Sequence, residues 1–150
     1  MTIELLVNID VDDLERAAAF YTATFALTPG RRFGADGLEL LGASSRLYLL
    51  VKPGGSPAVR STNQRRDYGR HWTPVHLDFV VPDLDVALER AVAAGGILEA
   101  GIATHAWGRI ALLADPFGHG FCLIQFSEQG YDAVATPPEP VSSEPTATLR

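Results

Sequence analysis

Residues 5–11 read Leu-Leu-Val-Asn-Ile-Asp-Val, and from Leu6 onward they split by parity. Val7, Ile9 and Val11 point one way and Leu6, Asn8 and Asp10 the other, which predicts a strand with one apolar and one mixed face. Asp12 or Asp13 then offers a helix cap, and Glu15 stands three residues after Asp12 as in a capping box. Leu14, Ala17, Ala18, Tyr21 and Phe25 recur at helical spacing, and the helix should stop near Leu27, before Pro29-Gly30. Gly37 to Leu41 and Arg46 to Lys52 are candidate strands separated by Gly42-Ala43-Ser44-Ser45.

The pattern breaks over 53–72, where Pro53-Gly54-Gly55-Ser56-Pro57 precedes Arg60, Arg65, Arg66 and Arg70. This reads as a polar connection, solvated or at an interface. The first pattern then returns. Leu77, Phe79 and Val81 share one face of the segment 75–81, Asp83 precedes a second helix carrying Leu84, Ala87, Leu88, Ala91 and Val92, and Gly95-Gly96 closes it. Segments 97–104, 109–114 and 120–126 predict three further strands, with Asp115-Pro116-Phe117-Gly118 as a tight turn and His119 exposed beside it. Val7 corresponds to Leu77, Asp13 to Asp83 and Leu14 to Leu84, each at an offset of 70 residues. Such an offset implies an internal duplication.

The fold class that follows is α+β: two tandem βαβββ modules, about 3–55 and 73–127, joined by a linker over 56–72, within a domain spanning 1–131. Residues 132–150 carry Pro137, Pro138, Pro140 and Pro145 without periodic hydrophobics and predict a flexible tail.

Composition narrows the function classes. A chain of 150 residues with 47% hydrophobic and 20% charged residues has the length and apolar content for one packed domain. Twelve Lys plus Arg stand against eighteen Asp plus Glu, a net charge of −6, which argues against a nucleic-acid partner. A single cysteine, Cys122, excludes an intramolecular disulfide and a four-thiolate zinc site. The first residues show no basic, apolar leader, and no segment approaches the 18 apolar residues of a membrane span. The expectation is a cytoplasmic protein with no membrane partner.

The duplicated module, Val11-Asp12-Asp13-Leu14-Glu15-Arg16 with Phe20-Tyr21, Val81-Pro82-Asp83-Leu84, Gly95-Gly96 and Asp115-Pro116-Phe117-Gly118-His119 together resemble the vicinal oxygen chelate superfamily. That group includes glyoxalase I, bleomycin-resistance proteins and extradiol dioxygenases. The resemblance implies strands curled around a concave groove, with metal ligands, typically His and Glu, projecting from four of them in the metal-using members. By register those four positions fall at Leu6, at Leu49 or Leu50, at His76 and at Cys122, and only His76 matches the family pattern.

The candidate ligand-binding residues are therefore Asn8, Asp10, Tyr48, Leu50, His76, Asp78, Trp107, Arg109 and Cys122. His76 is the candidate catalytic residue, as pocket base or ligand, or else a hydrogen-bonded strand histidine. Asp78 lies two residues along the strand, about 6–7 Å away, so both side chains can enter one pocket. Cys122 reads as a soft ligand or a small buried hydrophobe. Trp107 could stack on a flat ligand and Arg109 could hold a carboxylate, or both could sit at the domain edge; Tyr48 and Trp72 are weaker candidates of the same kind.

The function expected is a small-molecule-binding protein of the glyoxalase/bleomycin-resistance type, homodimeric, with a small organic ligand and no bound metal or other cofactor. The alternative is a lyase, isomerase or dioxygenase of the same superfamily, with one divalent metal ion in a non-standard site including His76. The alternative calls for at least three donors within metal-bonding reach. A third class, a protein–protein module, calls for a groove filled by side chains.

Overall fold

A computed structural model describes residues 1–137. The elements run β1 (Leu6–Val11), α1 (Leu14–Phe25), β2 (Thr28–Phe33), β3 (Gly37–Leu41), β4 (Arg46–Val51), β5 (Leu77–Val80), α2 (Leu84–Ala93), β6 (Ile97–Leu98), β7 (Ala103–His105), β8 (Gly108–Ala114) and β9 (Gly120–Phe126), followed by a short 3-10 turn at Gly130–Ala133.

Two sheets result. The first has the order β1-β4-β3-β2, with β1 parallel to β4 and the other pairs antiparallel. The second has the order β5-β9-β8-β6, again with a parallel first pair, and β7 joins β8. The duplication is visible down to the helix caps. Asp13 accepts from the Arg16 N–H at 2.9 Å and Asp83 from the Val86 N–H at 3.0 Å. Their backbone angles are φ −139, ψ 107 and φ −140, ψ 109. Each carboxylate satisfies one of the orphan donors of a helix N-terminus. The cap of α1 is Asp13, so no Asp12–Glu15 box forms.

The apolar faces of β1 and β5 turn towards the helices. Ile9 and Val11 are buried, and Val7, Leu77, Phe79 and Val81 pack against the same core. The modules meet through aromatic side chains. Phe25 stacks on Phe79 with ring centroids 3.9 Å apart, and Phe20 meets Phe121 edge-on at 6.1 Å. Burying side chains of this size stabilises by about 1.5–3 kcal/mol each. Two further contacts fix α1 to the turn before β9: the buried bond between Tyr21 and Asp115, and the Arg16 guanidinium 5.0 Å from the Phe117 ring centroid.

Several local expectations need correction. β2, Thr-Pro-Gly-Arg-Arg-Phe, was not predicted because every residue is exposed and no apolar face marks it. It is an edge strand with a register shift between Pro29 and Arg32, the setting in which proline is tolerated. The single strand predicted over 97–104 is two, β6 and β7. The polar connection is not a solvated linker throughout. Arg66 pairs with Asp10, Arg70 with Glu99, and the Tyr68 hydroxyl donates to the Lys52 carbonyl at 2.8 Å. His119, expected exposed, is half-buried beneath this docked segment. Of the expected tail, Asp132 and Ala133 belong to the 3-10 turn, and residues 138–150 lie outside the described residues.

Candidate functional site

Alternation along β1 and β5 sends Asn8, Asp10 and Asp78 away from the helices, onto the open face of each sheet. Strand register then decides which residues accompany them. Asn8 stands beside Tyr48 and Asp10 beside Leu50 in the first sheet, and Asp78 beside Cys122 in the second. Leu49 faces the core and is fully buried, so of the two leucines weighed for that position Leu50 lies on the open face.

A cavity of about 540 Å³ lies between β1 and β5, where the two sheets are not hydrogen-bonded to each other. Residues of both faces of β1, Leu6, Asn8 and Asp10 with Val7 and Ile9, line it on one side. His76, just before β5, lines the other with Leu77 and Phe79, while His71 and His119 also border the cavity. Tyr48, Leu50, Asp78 and Cys122 are not in its lining. Its wall is mostly apolar with a few convergent polar groups, the usual make-up of a ligand site. A larger hollow of about 740 Å³ lies between residues Thr2–Leu5 and the turn before β4. The Glu4–Arg46 ion pair flanks it, and among the described residues the cluster of His, Asp and Cys donors lies elsewhere, beside the smaller cavity, which is therefore the candidate site.

The carboxylates near the cavity already have partners. Arg66 Nε lies 2.7 Å from Asp10 Oδ2, and His76 Nε2 lies 3.2 Å from Asp78 Oδ1. Asp10 thus holds the connecting segment to β1. Behind His76, the Cys122 thiol faces Asp78. Burial first, and then the charge and hydrogen bonding of Asp78, push this thiol up to about 11.

The ligating atoms of His76, Asp78 and Cys122 lie within 4.8 Å of one another. Ligand atoms bound to one tetrahedral ion at about 2.0–2.3 Å stand roughly 3–4 Å apart. His76 and Asp78, 3.2 Å apart, already stand at that spacing, and the Cys122 thiol would have to lose its proton to join them. The first sheet contributes Leu6 and Asn8 to the cavity that His76 lines. Its glutamate, Glu39, is committed elsewhere, and the donors come from one module alone. The set offers three donors, one of them a protonated thiol, all from the second module.

Glu39 is, like His71 at the cavity edge, a polar residue that sequence reasoning missed. It is only 4% exposed and stands beside Tyr48 in the register of β3 and β4. Arg31 Nη2 approaches Glu39 Oε2 at 2.5 Å, and the Tyr48 hydroxyl donates to the same oxygen at 2.9 Å. Hydrogen bonding from Arg31 outweighs the burial and holds the Glu39 carboxyl down at about 2. Tyr48 is thereby fixed within a buried polar cluster. The available signal was a lone glutamate between Leu38 and Leu40 in a strand.

Trp107 and Arg109 are not brought to the cavity. Trp107 stacks on His105 at 5.0 Å with planes 10° apart and packs against Tyr131. Arg109 makes a two-pronged bond to Asp85 on α2, on the helix side of the second sheet. Trp72 is 79% exposed.

A family model described as a glyoxalase-like domain matches residues 6–124. An uncharacterized protein of Mycobacterium bovis is 32% identical over 122 residues, covering 79% of this chain and 80% of its own. The anthracycline biosynthesis protein DnrV of Streptomyces peucetius is 33% identical over 132 residues, covering 86% of this chain but 43% of its own. Among solved structures, the fosfomycin resistance protein FosX of Listeria monocytogenes superposes with a TM-score of 0.64 at 17% identity, covering 86% of this chain and 97% of its own. TioX of Micromonospora gives 0.63 at 18%, covering 84% and 100%. Those two likenesses concern the fold. With the duplicated module, the cavity between its halves and the match over 6–124 in hand, the chain belongs to the glyoxalase-like domain family, within the vicinal oxygen chelate superfamily.

Proposed function

We propose that this protein binds a small organic molecule in the cavity between β1 and β5. The observation that carries the proposal is the cavity itself: about 540 Å³, with an apolar wall and Asn8, His71, His76 and His119 at its edges. Pocket size and lining of this kind suit a compact, partly apolar ligand with a few hydrogen-bonding groups. Partnered Asp10 and Asp78 present less free negative charge than two open carboxylates would, so a strongly cationic ligand is not required. The name of DnrV, a protein of anthracycline biosynthesis, supports a ligand from the polycyclic aromatic class. The test is a thermal-shift screen of small aromatic compounds. A hit should lose its stabilising effect in Asn8→Trp, which fills the cavity, and keep it in Arg60→Ala, remote on the connecting segment.

A second reading is kept because His76, Asp78 and Cys122 converge. In it a divalent ion draws the three donors together, and the protein is a metal-dependent lyase, isomerase or dioxygenase. Elemental analysis of protein purified without chelator separates the two. About one equivalent of zinc, nickel, iron or manganese, lost in His76→Ala, supports the second reading, and none supports the first.

Both readings include a homodimer. The open faces of the two sheets leave Leu6, Val80 and Leu112 exposed, at 45%, 60% and 38%. Apolar exposure on one face marks an interaction surface. A second copy laid across it would deepen the cavity, and light scattering on the purified protein should give twice the chain mass.

A further inference from the structure

His71, from the connecting segment, and His119, from the turn before β9, meet ring to ring with Nε2 and Nδ1 2.9 Å apart. Their outer nitrogens are also engaged. His71 Nδ1 lies 2.9 Å from the Gly69 carbonyl oxygen, and His119 Nε2 lies 2.7 Å from the Asp10 carbonyl oxygen. A carbonyl oxygen only accepts, so both outer nitrogens carry hydrogen. Two neutral imidazoles would then meet with lone pair facing lone pair. One more proton between them turns that repulsion into a charge-assisted N–H···N bond.

We propose that His71 and His119 share a single proton and act as a proton-dependent clasp, fastening the connecting segment to β1 and to the β9 turn at the edge of the cavity. The two rings together hold three protons and one positive charge. The clasp is independent of which ligand the cavity takes.

The surrounding groups leave this charge without a direct counter-ion. Asp10 offers the pair its carbonyl, while its carboxylate bonds Arg66. Asp115 accepts the Tyr21 hydroxyl and the backbone N–H groups of Phe117 and His119. Arg70, beside His71, bonds Glu99, the His71 carbonyl and the Gly118 carbonyl. Asp67 caps the Gly69 N–H, and Tyr68 meets the His119 ring edge-on at 6.2 Å. Across the cavity, His76 is paired with Asp78. Since docking favours the protonated pair, linkage requires that the clasp hold while the proton is present and release as rising pH removes it.

The test is long-range ¹H–¹⁵N imidazole spectroscopy on the full chain, with amide hydrogen exchange of residues 66–71. The expected result is protonated His71 Nδ1 and His119 Nε2, and one further proton lost by both rings in a single step. Across that step, protection of residues 66–71, corrected for intrinsic exchange, should fall about tenfold, the size of a one-decade difference in proton affinity between docked and released segment. His71→Gln and His119→Asn should each remove the pH dependence while leaving the chain folded by circular dichroism. Independent titration of the two rings, a deprotonated outer nitrogen on either ring, or pH-independent protection in the unmodified protein would overturn the proposal.

Discussion

The Tyr21 hydroxyl, on α1 of the first module, donates to Asp115 Oδ2 in the second at 2.6 Å, across 94 residues of chain. Asp115 is 2% exposed, and its other oxygen accepts from the N–H groups of Phe117 and His119. One buried carboxylate therefore shapes the turn before β9 and bolts it to α1. That turn carries His119 to the edge of the cavity.

Replacing Tyr21 by Phe should leave Asp115 Oδ2 buried without that donor, at a cost of about 1–3 kcal/mol. Urea denaturation would show it as a lower midpoint with an unchanged slope. Burial first, then the charge and hydrogen bond of Asp115, raise the Tyr21 hydroxyl well above the ordinary tyrosine range. Its contribution is complete below the unfolded tyrosine value of about 10 and is lost as pH rises above it. Tyr21→Phe should therefore show a shallower alkaline decline in stability than the unmodified protein.

The Glu39–Arg31–Tyr48 cluster sets the acid side. Glu39 is held down to about 2 in the folded chain, so its stabilisation is present above the ordinary carboxylate range and is lost as pH falls towards 2. Glu39→Gln should flatten the acid limb of a stability-against-pH curve between about 4.3 and 2, and Arg31→Met should leave a buried carboxylate without its counter-ion and lower stability more than Glu39→Gln does.

Cys122 should be inert. Its thiol is buried and pushed up to about 11, so at pH 8 almost none is thiolate. Folded protein should react with iodoacetamide far more slowly than protein in 6 M guanidinium. Asp78→Asn removes the neighbouring charge and should speed the folded-state reaction. An equally slow reaction in that variant would show that burial alone protects the sulfur.

Gly118 has φ +80, and a Cβ there would collide with the Gly69 carbonyl of the docked segment. Gly118→Ala combines backbone strain with that collision and should cost about 1–3 kcal/mol. Loss of protection in residues 66–71 should accompany it.

The sequence pattern carried most of the frame. Parity in β1 and β5 and the matched caps at Asp13 and Asp83 depend on neighbours in the chain, so they were legible. The edge strand β2 was not, because Pro29, Gly30 and two arginines show no apolar face. The site was legible only in part. Asn8, Asp10 and His76 do line one cavity, but so do Val7, Ile9, Leu77 and Phe79 of the opposite parity, because the cavity opens between the edges of β1 and β5 rather than on one face. The partners that decide their chemistry come from far along the chain: Arg66 reaches Asp10 across 56 residues and His71 meets His119 across 48. No local periodicity records such meetings. Trp107 and Arg109 went elsewhere for the same reason, to His105, Tyr131 and Asp85.

The central claim is that the space between β1 and β5 is a binding site. The direct measurement is ¹H–¹⁵N shift mapping of a small aromatic hit, titrated into labelled full-length protein. The account predicts saturable shifts concentrated at Leu6–Asp10, His76–Phe79 and His119–Phe121, absent in Asn8→Trp. Shifts concentrated at residues 2–5 and 42–46, or unchanged in Asn8→Trp, would contradict it.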